Sequence, residues 1–207
     1  PAEKRQRIIA IAMDEFADND YQNASVSRMV AAAGIAKGSF YQYFDDKRDL
    51  YLYLLDLGAQ EKAKLLSQEP PDPEMGIFDY LLWLVEATLR FEFAYPRLSE
   101  ISYRALKGGG LPDETLADAK KMSQQYFGAL VQKGIANGEI DPDIDPALAA
   151  FMFHAIFMEL GTYLVERFDF QPEGDDGDVQ RLFGSPEVQA TYAQALRILQ
   201  DGMGKRS

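Results

Sequence analysis

Residues 25–50 read SVSRMVAAAGIAKGSFYQYFDDKRDL, and this stretch decides the fold of the N-terminal region. The apolar spacing across residues 26–33 predicts one short helix. Gly34 can take the left-handed conformation that ends a helix, and Ile35 is expected to fill the angle that follows. A second short helix is predicted over residues 37–43. The stretch therefore predicts two helices hinged at Gly34.

The side chains of the second helix divide into two sets. Phe40 and Phe44 lie four positions apart, so they share a face and are expected to point inward. The side chains expected to point outward are Lys37, Ser39, Tyr41, Gln42 and Tyr43. A helix of about seven residues is roughly 10 Å long, which suits one major groove, where such groups can reach phosphates and base edges. The aromatics could instead form the core of a helical bundle, but the Ala-Gly-Ile turn and the Lys-Gly pair favour DNA binding.

This stretch resembles the DNA-binding domain of the tetracycline-repressor (TetR) family, most specifically over about residues 5–55. The landmarks that match the family pattern are Ala33-Gly34-Ile35, Lys37-Gly38, Tyr41, Tyr43-Phe44, Lys47 and Leu50. The resemblance implies DNA contacts at Ser25, Arg28, Lys37, Gly38, Ser39, Tyr41, Gln42, Tyr43 and Lys47. Ala36 departs from the pattern, because it replaces the usual Ser or Thr and removes a side-chain N-cap worth about 1 kcal/mol.

Charge and composition exclude several other functions. The chain of 207 residues carries a net charge of −12, of which residues 1–50 hold −1 and the remainder −11. A DNA-packaging protein would need a basic surface, so the distribution argues against one. With no cysteine and only His154, thiolate zinc sites, cysteine nucleophiles and histidine-rich metal sites are impossible. The predictions are therefore no enzyme activity, no cofactor and no metal.

One stretch of the sequence resembles a calcium-binding loop but lacks two of the residues that such a loop needs. Asp141, Asp143 and Asp145 have the spacing of a calcium loop, but Pro146 and Met152 stand where glycine and glutamate are needed.

Helical periodicity continues along the chain and predicts an all-α protein of about nine helices. A long helix is expected from Asp46, as its cap, to about Gln68, and the Pro-rich residues 69–73 then break the chain. The predicted domains are a three-helix, helix-turn-helix DNA-binding domain over residues 1–48 and a helical bundle for ligand binding and dimerisation over residues 49–207. Residues 108–110 are predicted to turn, and the polar residues 171–184 to form a loop.

The last two predicted helices span residues 146–167 and 186–203. Residues 147–165 approach the length of a membrane span, but His154 and Glu159 make that costly, so a buried helix is expected. Since this helix is apolar almost all round, it needs a second covering surface. We therefore expect a homodimer through these two helices. We also expect a cytoplasmic location and no membrane partner.

The TetR resemblance also implies a small-molecule effector in the C-terminal half, whose binding moves the long helix and releases a palindromic operator. The expected lining residues are Phe91, Tyr95, Tyr103, Met122, Tyr126, His154, Phe157 and Met158. Such walls suit a mostly apolar or aromatic molecule, although each side chain could also be ordinary core. Glu92 and Glu159 are the candidates for holding a cationic effector instead. The predicted function is a ligand-responsive transcriptional regulator acting as a repressor.

Overall fold

The computed structural model describes residues 2–106, 113–174 and 177–204. Within these ranges the chain is all-α, with no strand longer than one isolated bridge between Ile140 and Gly204. The helices are α1 (Ala2–Asp18), α2 (Val26–Ala33), α3 (Lys37–Phe40), α4 (Lys47–Gln68), α5 (Ile77–Ala94), α6 (Pro96–Leu106), α7 (Asp113–Ala136), α8 (Pro146–Arg167), α9 (Asp178–Gly184) and α10 (Pro186–Met203). The all-α prediction is confirmed, while the predicted turn at residues 108–110 lies outside the described ranges.

The chain forms two compact units, Pro1–Lys64 with Tyr95–Ala117 and Leu65–Ala94 with Asp118–Ser207. Helix α4 therefore begins in the first unit and ends in the second. The functional division expected after residue 48 is a different kind of boundary, and it stays a prediction.

The first unit is built around the inward faces of its N-terminal helices. Ile8, Phe16, Met29, Phe40 and Leu50 are all buried there. Helix α1 packs against both α2 and α6. These contacts give the short helices α2 and α3 the tertiary support that helices of their length need in water.

The second unit has α5 and α8 packed together at its centre. They approach closely at Gly161, where a Cβ atom would lie 3.1 Å from the Leu89 side chain. One buried cluster includes Phe78, Phe127 and Phe153. A side chain at position 161 would press against Leu89, so the glycine sets the distance between the two helices.

Helix α9 corrects the prediction of a loop over residues 171–184. The Asp178 side chain is fully buried and accepts hydrogen bonds from the backbone N–H groups of Glu173 (2.9 Å) and Gly174 (2.7 Å). Val179 and Leu182 are buried as well. The polar composition of this stretch predicted a loop. The structure can bury Asp178 in a packed helix because backbone N–H groups satisfy its carboxylate.

Helix α8 corrects a second expectation, that it is buried. It is the one described helix long and apolar enough to cross a membrane, with a mean hydropathy of 1.6, and only 17% of that window is buried. Phe153 and Leu164 lie in the core, whereas Leu148, Phe151 and Tyr163 are exposed. One chain therefore covers one face of α8 and leaves the other to solvent.

Candidate nucleic-acid interface and effector site

The turn between α2 and α3 forms as predicted. Gly34 follows α2 with φ 64° and ψ 34°, and its N–H donates to the carbonyl of Ala31. This left-handed conformation costs a glycine little and other residues about 1–2 kcal/mol. The prediction that Gly34 is the hinge is confirmed.

Helix α3 is shorter than predicted, since it covers only Lys37–Phe40 and residues 41–43 form a turn. The Tyr43 N–H donates to the Phe40 carbonyl (2.9 Å), a tighter i to i−3 bond, while the Phe44 N–H still reaches the Phe40 carbonyl (3.2 Å). Ala36 supplies no side-chain cap at the other end. The missing cap and the tight exit reduce the helix to about one turn.

The inward and outward division of this segment is as expected. Phe40 and Phe44 are buried, with ring centroids 5.9 Å apart. Lys37, Gly38, Tyr41 and Gln42 are exposed, and Ser39 and Tyr43 are half-buried. Two buried phenylalanines thus hold a cation, a phenol and an amide on one short exposed segment.

Ser25 and Arg28 at the start of α2 are held by Glu15 of α1. The Ser25 hydroxyl accepts from the Arg28 N–H (3.4 Å), and the Ser25 N–H donates to Glu15 Oε1 (2.9 Å). The Arg28 guanidinium is ion-paired with the same carboxylate, which raises the pKa of Arg28. Sequence reasoning missed Glu15, because a single glutamate on α1 carries no signal of its distant partners.

Arg5 and Lys47 are also engaged within the first unit. The Arg5 guanidinium lies 4.5 Å from the centre of the Tyr53 ring and 5.2 Å from that of Phe44. Lys47 Nζ donates to the carbonyl of Tyr21 at 2.7 Å. Lys37, at the start of α3, is exposed.

The residues predicted to line an effector site fall in both units. Tyr95 and Tyr103 belong to the first unit, where Tyr95 Oη donates to Glu61 Oε2 (2.9 Å). The six others, Phe91, Met122, Tyr126, His154, Phe157 and Met158, belong to the second. Phe91 is buried, His154, Phe157 and Met158 are half-buried, and Met122 is 69% exposed.

In the second unit, Phe127 brings three of the predicted residues together. Its ring centroid is 5.5 Å from those of His154 and Phe157 and 5.3 Å from that of Tyr126. The Tyr126 hydroxyl is hydrogen-bonded to that of Tyr80 (2.8 Å), and burial raises the pKa of Tyr126. Phe127 was missed because the predicted face of α7 was the one containing Met122 and Tyr126, one position away.

Comparisons with known proteins agree with this arrangement. The family model described as "Bacterial regulatory proteins, tetR family" matches residues 8–54, and "Tetracyclin repressor-like, C-terminal domain" matches residues 75–204. This chain belongs to the TetR family. That family consists of DNA-binding transcriptional regulators that act as dimers on DNA operators and respond to small-molecule effectors, and it is not a family of enzymes.

Among solved structures, a TetR family regulator from Chloroflexus aurantiacus is similar, with 43% identity and a TM-score of 0.84 over 100% of this chain and 95% of that one. The fatty acid metabolism regulator protein of Bacillus subtilis is 37% identical over 77% of this chain and 82% of its own length. The transcriptional repressor AcnR of Corynebacterium glutamicum is 31% identical over 49% of this chain and 50% of its own length. The chain spans about half the length of the curated relatives it matches first.

Proposed function

We propose that this chain is a cytoplasmic, ligand-responsive repressor that binds a palindromic DNA operator as a homodimer. The proposal rests on the exposed segment after Gly34, which is anchored to the core by the buried side chains of Phe40 and Phe44. Lys37 supplies a phosphate contact and Gln42 a base contact, with Gly38, Ser39, Tyr41 and Tyr43 beside them. Ser25 and Arg28, at the start of α2, add further phosphate contacts. The name of AcnR, a transcriptional repressor, supports repression.

Selection from random duplexes tests the DNA-binding proposal. One recognition helix per protomer should enrich a palindrome whose half-sites are one helical turn or a multiple of it apart. Lys37→Ala should weaken binding to every enriched duplex, whereas Lys133→Ala, an exposed lysine on α7, should leave it unchanged. Enrichment of asymmetric sequences only would contradict the proposal.

The dimer interface that we propose lies on the exposed faces of α8 and α10. Leu148, Phe151 and Met152 on α8 and Ile198 on α10 are large apolar side chains left exposed by a single chain. Large apolar side chains left exposed in this way are typical of a protein interface. Val188 and Leu199 of α10 are buried within the chain, so we assign the α10 part of the interface to its exposed face.

For the effector, we propose an apolar or aromatic molecule bound in the second unit near the aromatic cluster around Phe127. The half-buried His154 and Phe157 pack against Phe127 and offer apolar surface with one imidazole, and Tyr126 adds a hydroxyl. Met158 lies one helical turn beyond His154 on α8. The fatty acid metabolism regulator of Bacillus subtilis, 37% identical, supports a lipid-like compound as the first class to test.

A further inference from the structure

The guanidinium of Arg28 on α2 is held along one edge by groups that lie outside this helix. Its Nε–H donates to Glu15 Oε1 of α1 (2.9 Å). Its Nη2 atom donates to the same carboxylate oxygen and to the carbonyl of Asn23 (2.7 Å). Because a guanidinium is planar and rigid, contacts at Nε and Nη2 fix the plane and the direction of the whole group.

The other edge of this guanidinium keeps its donors. Arginine carries one N–H on Nε and two on each terminal nitrogen. Within the part of the chain that the structure describes, Nη1 of Arg28 has no acceptor, and the Arg28 side chain is 55% exposed. A fixed guanidinium with unused donors suits a phosphate oxygen, since charge-assisted N–H bonds to phosphate are among the strong ones.

The Glu15 carboxylate is much less exposed than the guanidinium it holds. Its side chain is 13% exposed, and its neighbour Phe16 on α1 is buried in the core of the first unit. Glu15 Oε1 also accepts the N–H of Ser25, the N-cap of α2 (2.9 Å). One anchored carboxylate oxygen thus holds both the start of α2 and the Arg28 side chain.

The second acceptor of the guanidinium is fixed as well. The Asn23 N–H donates to Asp20 Oδ1 (2.8 Å), and Asn23 Nδ2 donates to Asp20 Oδ2 (3.1 Å). Side-chain bonds of this kind define a turn, so the Asn23 carbonyl keeps its place beside Arg28. A long side chain that is ordered before binding loses less entropy when it binds.

We propose that Glu15 is a positioning residue, which orients the Arg28 guanidinium so that its Nη1 donors meet an operator phosphate. This inference rests on the proposed DNA-binding function and deepens it, because it adds a residue of α1 that acts through Arg28. Its consequence has the opposite sign to simple electrostatics. Removing a carboxylate near DNA reduces repulsion and should strengthen binding, whereas removing a positioning carboxylate should weaken it.

The dependence of operator affinity on salt tests the proposal in the full chain. Glu15→Gln keeps the side-chain length and should weaken binding on the order of tenfold. The slope of log K against log salt should become shallower by about 0.9 per protomer, as it should for Arg28→Leu. Glu3→Gln removes the same charge from an exposed position of α1 and should bind as tightly as wild type or more tightly. Stronger binding by Glu15→Gln would overturn the proposal.

A double-mutant cycle separates positioning of Arg28 from a general effect on the fold. If Glu15 acts through Arg28, most of the affinity lost in Glu15→Gln should disappear when the same change is made in Arg28→Leu. An equal loss in both backgrounds would overturn the proposal, because it would show that Glu15 supports DNA binding without Arg28.

Two further measurements keep the test decisive if Glu15→Gln folds poorly. Glu15→Asp keeps the charge but withdraws the carboxylate by one methylene, so we expect weaker operator binding, and wild-type affinity would overturn the proposal. Without DNA, exchange of the Arg28 Nε–H with water, followed by NMR, should be slow in wild type and faster in both variants. Fast exchange in wild type would contradict the proposal even if no operator were found, a result that would count separately against DNA binding.

Discussion

At the scale of single residues, Gly34 and Gly38 lie four positions apart and have different reasons to lack a side chain. Gly34 needs its positive φ of 64°, and open space surrounds the place a Cβ would occupy. Gly38 also has open space around it, but its backbone conformation is an ordinary one. The first glycine therefore serves the fold, and the second is free to serve an approach to DNA.

We predict that alanine separates these two roles. Gly34→Ala should lower the free energy of unfolding by about 1 kcal/mol, because alanine is strained in the left-handed region. Gly38→Ala should leave stability equal or slightly higher, since alanine favours the helix by up to about 1 kcal/mol, yet weaken operator binding. Denaturant unfolding and operator titration of both variants provide the check. Wild-type operator affinity for Gly38→Ala would show that no backbone approaches DNA there.

Also at the residue scale, what the sequence could predict depended on the distance between partners. Gly34, Phe40 and Phe44 make their contacts with residues close in sequence. The spacing of residue types was therefore enough to predict their roles. Lys47 has carbonyl partners more than twenty positions away, and no spacing rule connects them.

At the scale of elements, α9 was missed for the same reason, because its stabilising contacts cannot be predicted from spacing. The exposed face of α8 was missed for a different reason. The polar stretch before α9 becomes a packed element only because Asp178 is buried and bound by two backbone N–H groups. For α8 the sequence indicated correctly that the helix is apolar almost all round. Which face the chain covers was not visible, since that depends on the packing of α5 against Gly161.

The dimer prediction belongs to this scale. Phe151 is 63% exposed on α8, and burying such a side chain contributes about 1.5–3 kcal/mol, which counts twice across a two-fold axis. Phe151→Glu should therefore yield monomers at micromolar concentration in sedimentation experiments, with operator binding lost. Met122→Glu, at a 69% exposed position on α7, is the matched control and should stay dimeric.

Leu196→Glu is a poorer test of the same interface. Leu196 packs against the buried cluster around Phe78, Phe127 and Phe153. A glutamate there would destabilise the core of the second unit, so the loss of dimers would have two causes. If the Phe151→Glu protein remained dimeric, the proposed interface on α8 would be contradicted.

At the scale of the whole molecule, α4 is one of two helices, with α7, that belong to both compact units. Its C-terminal end is tied within the second unit, because Arg90 of α5 pairs with Glu69, the residue after α4 (2.5 Å), and with Glu86 (3.3 Å). The Arg90 Nε atom is buried with no hydrogen-bond partner among the described residues. We therefore expect an effector that shifts α5 to act on the Arg90–Glu69 ion pair next to the end of α4.

The last prediction follows from this connection and concerns the reciprocity of the two ligands. An effector that releases DNA must bind operator-bound protein more weakly, by the same factor by which it weakens operator binding, typically 5–150-fold. We expect long-chain acyl or aromatic compounds to raise the melting temperature, and His154→Leu to alter their affinity without changing operator binding in their absence. Titration of the hits with and without saturating operator measures the coupling. Stabilisation by cationic compounds alone, abolished in Glu159→Gln, would contradict the apolar effector. A hit that binds free and operator-bound protein with equal affinity would show that it does not release DNA.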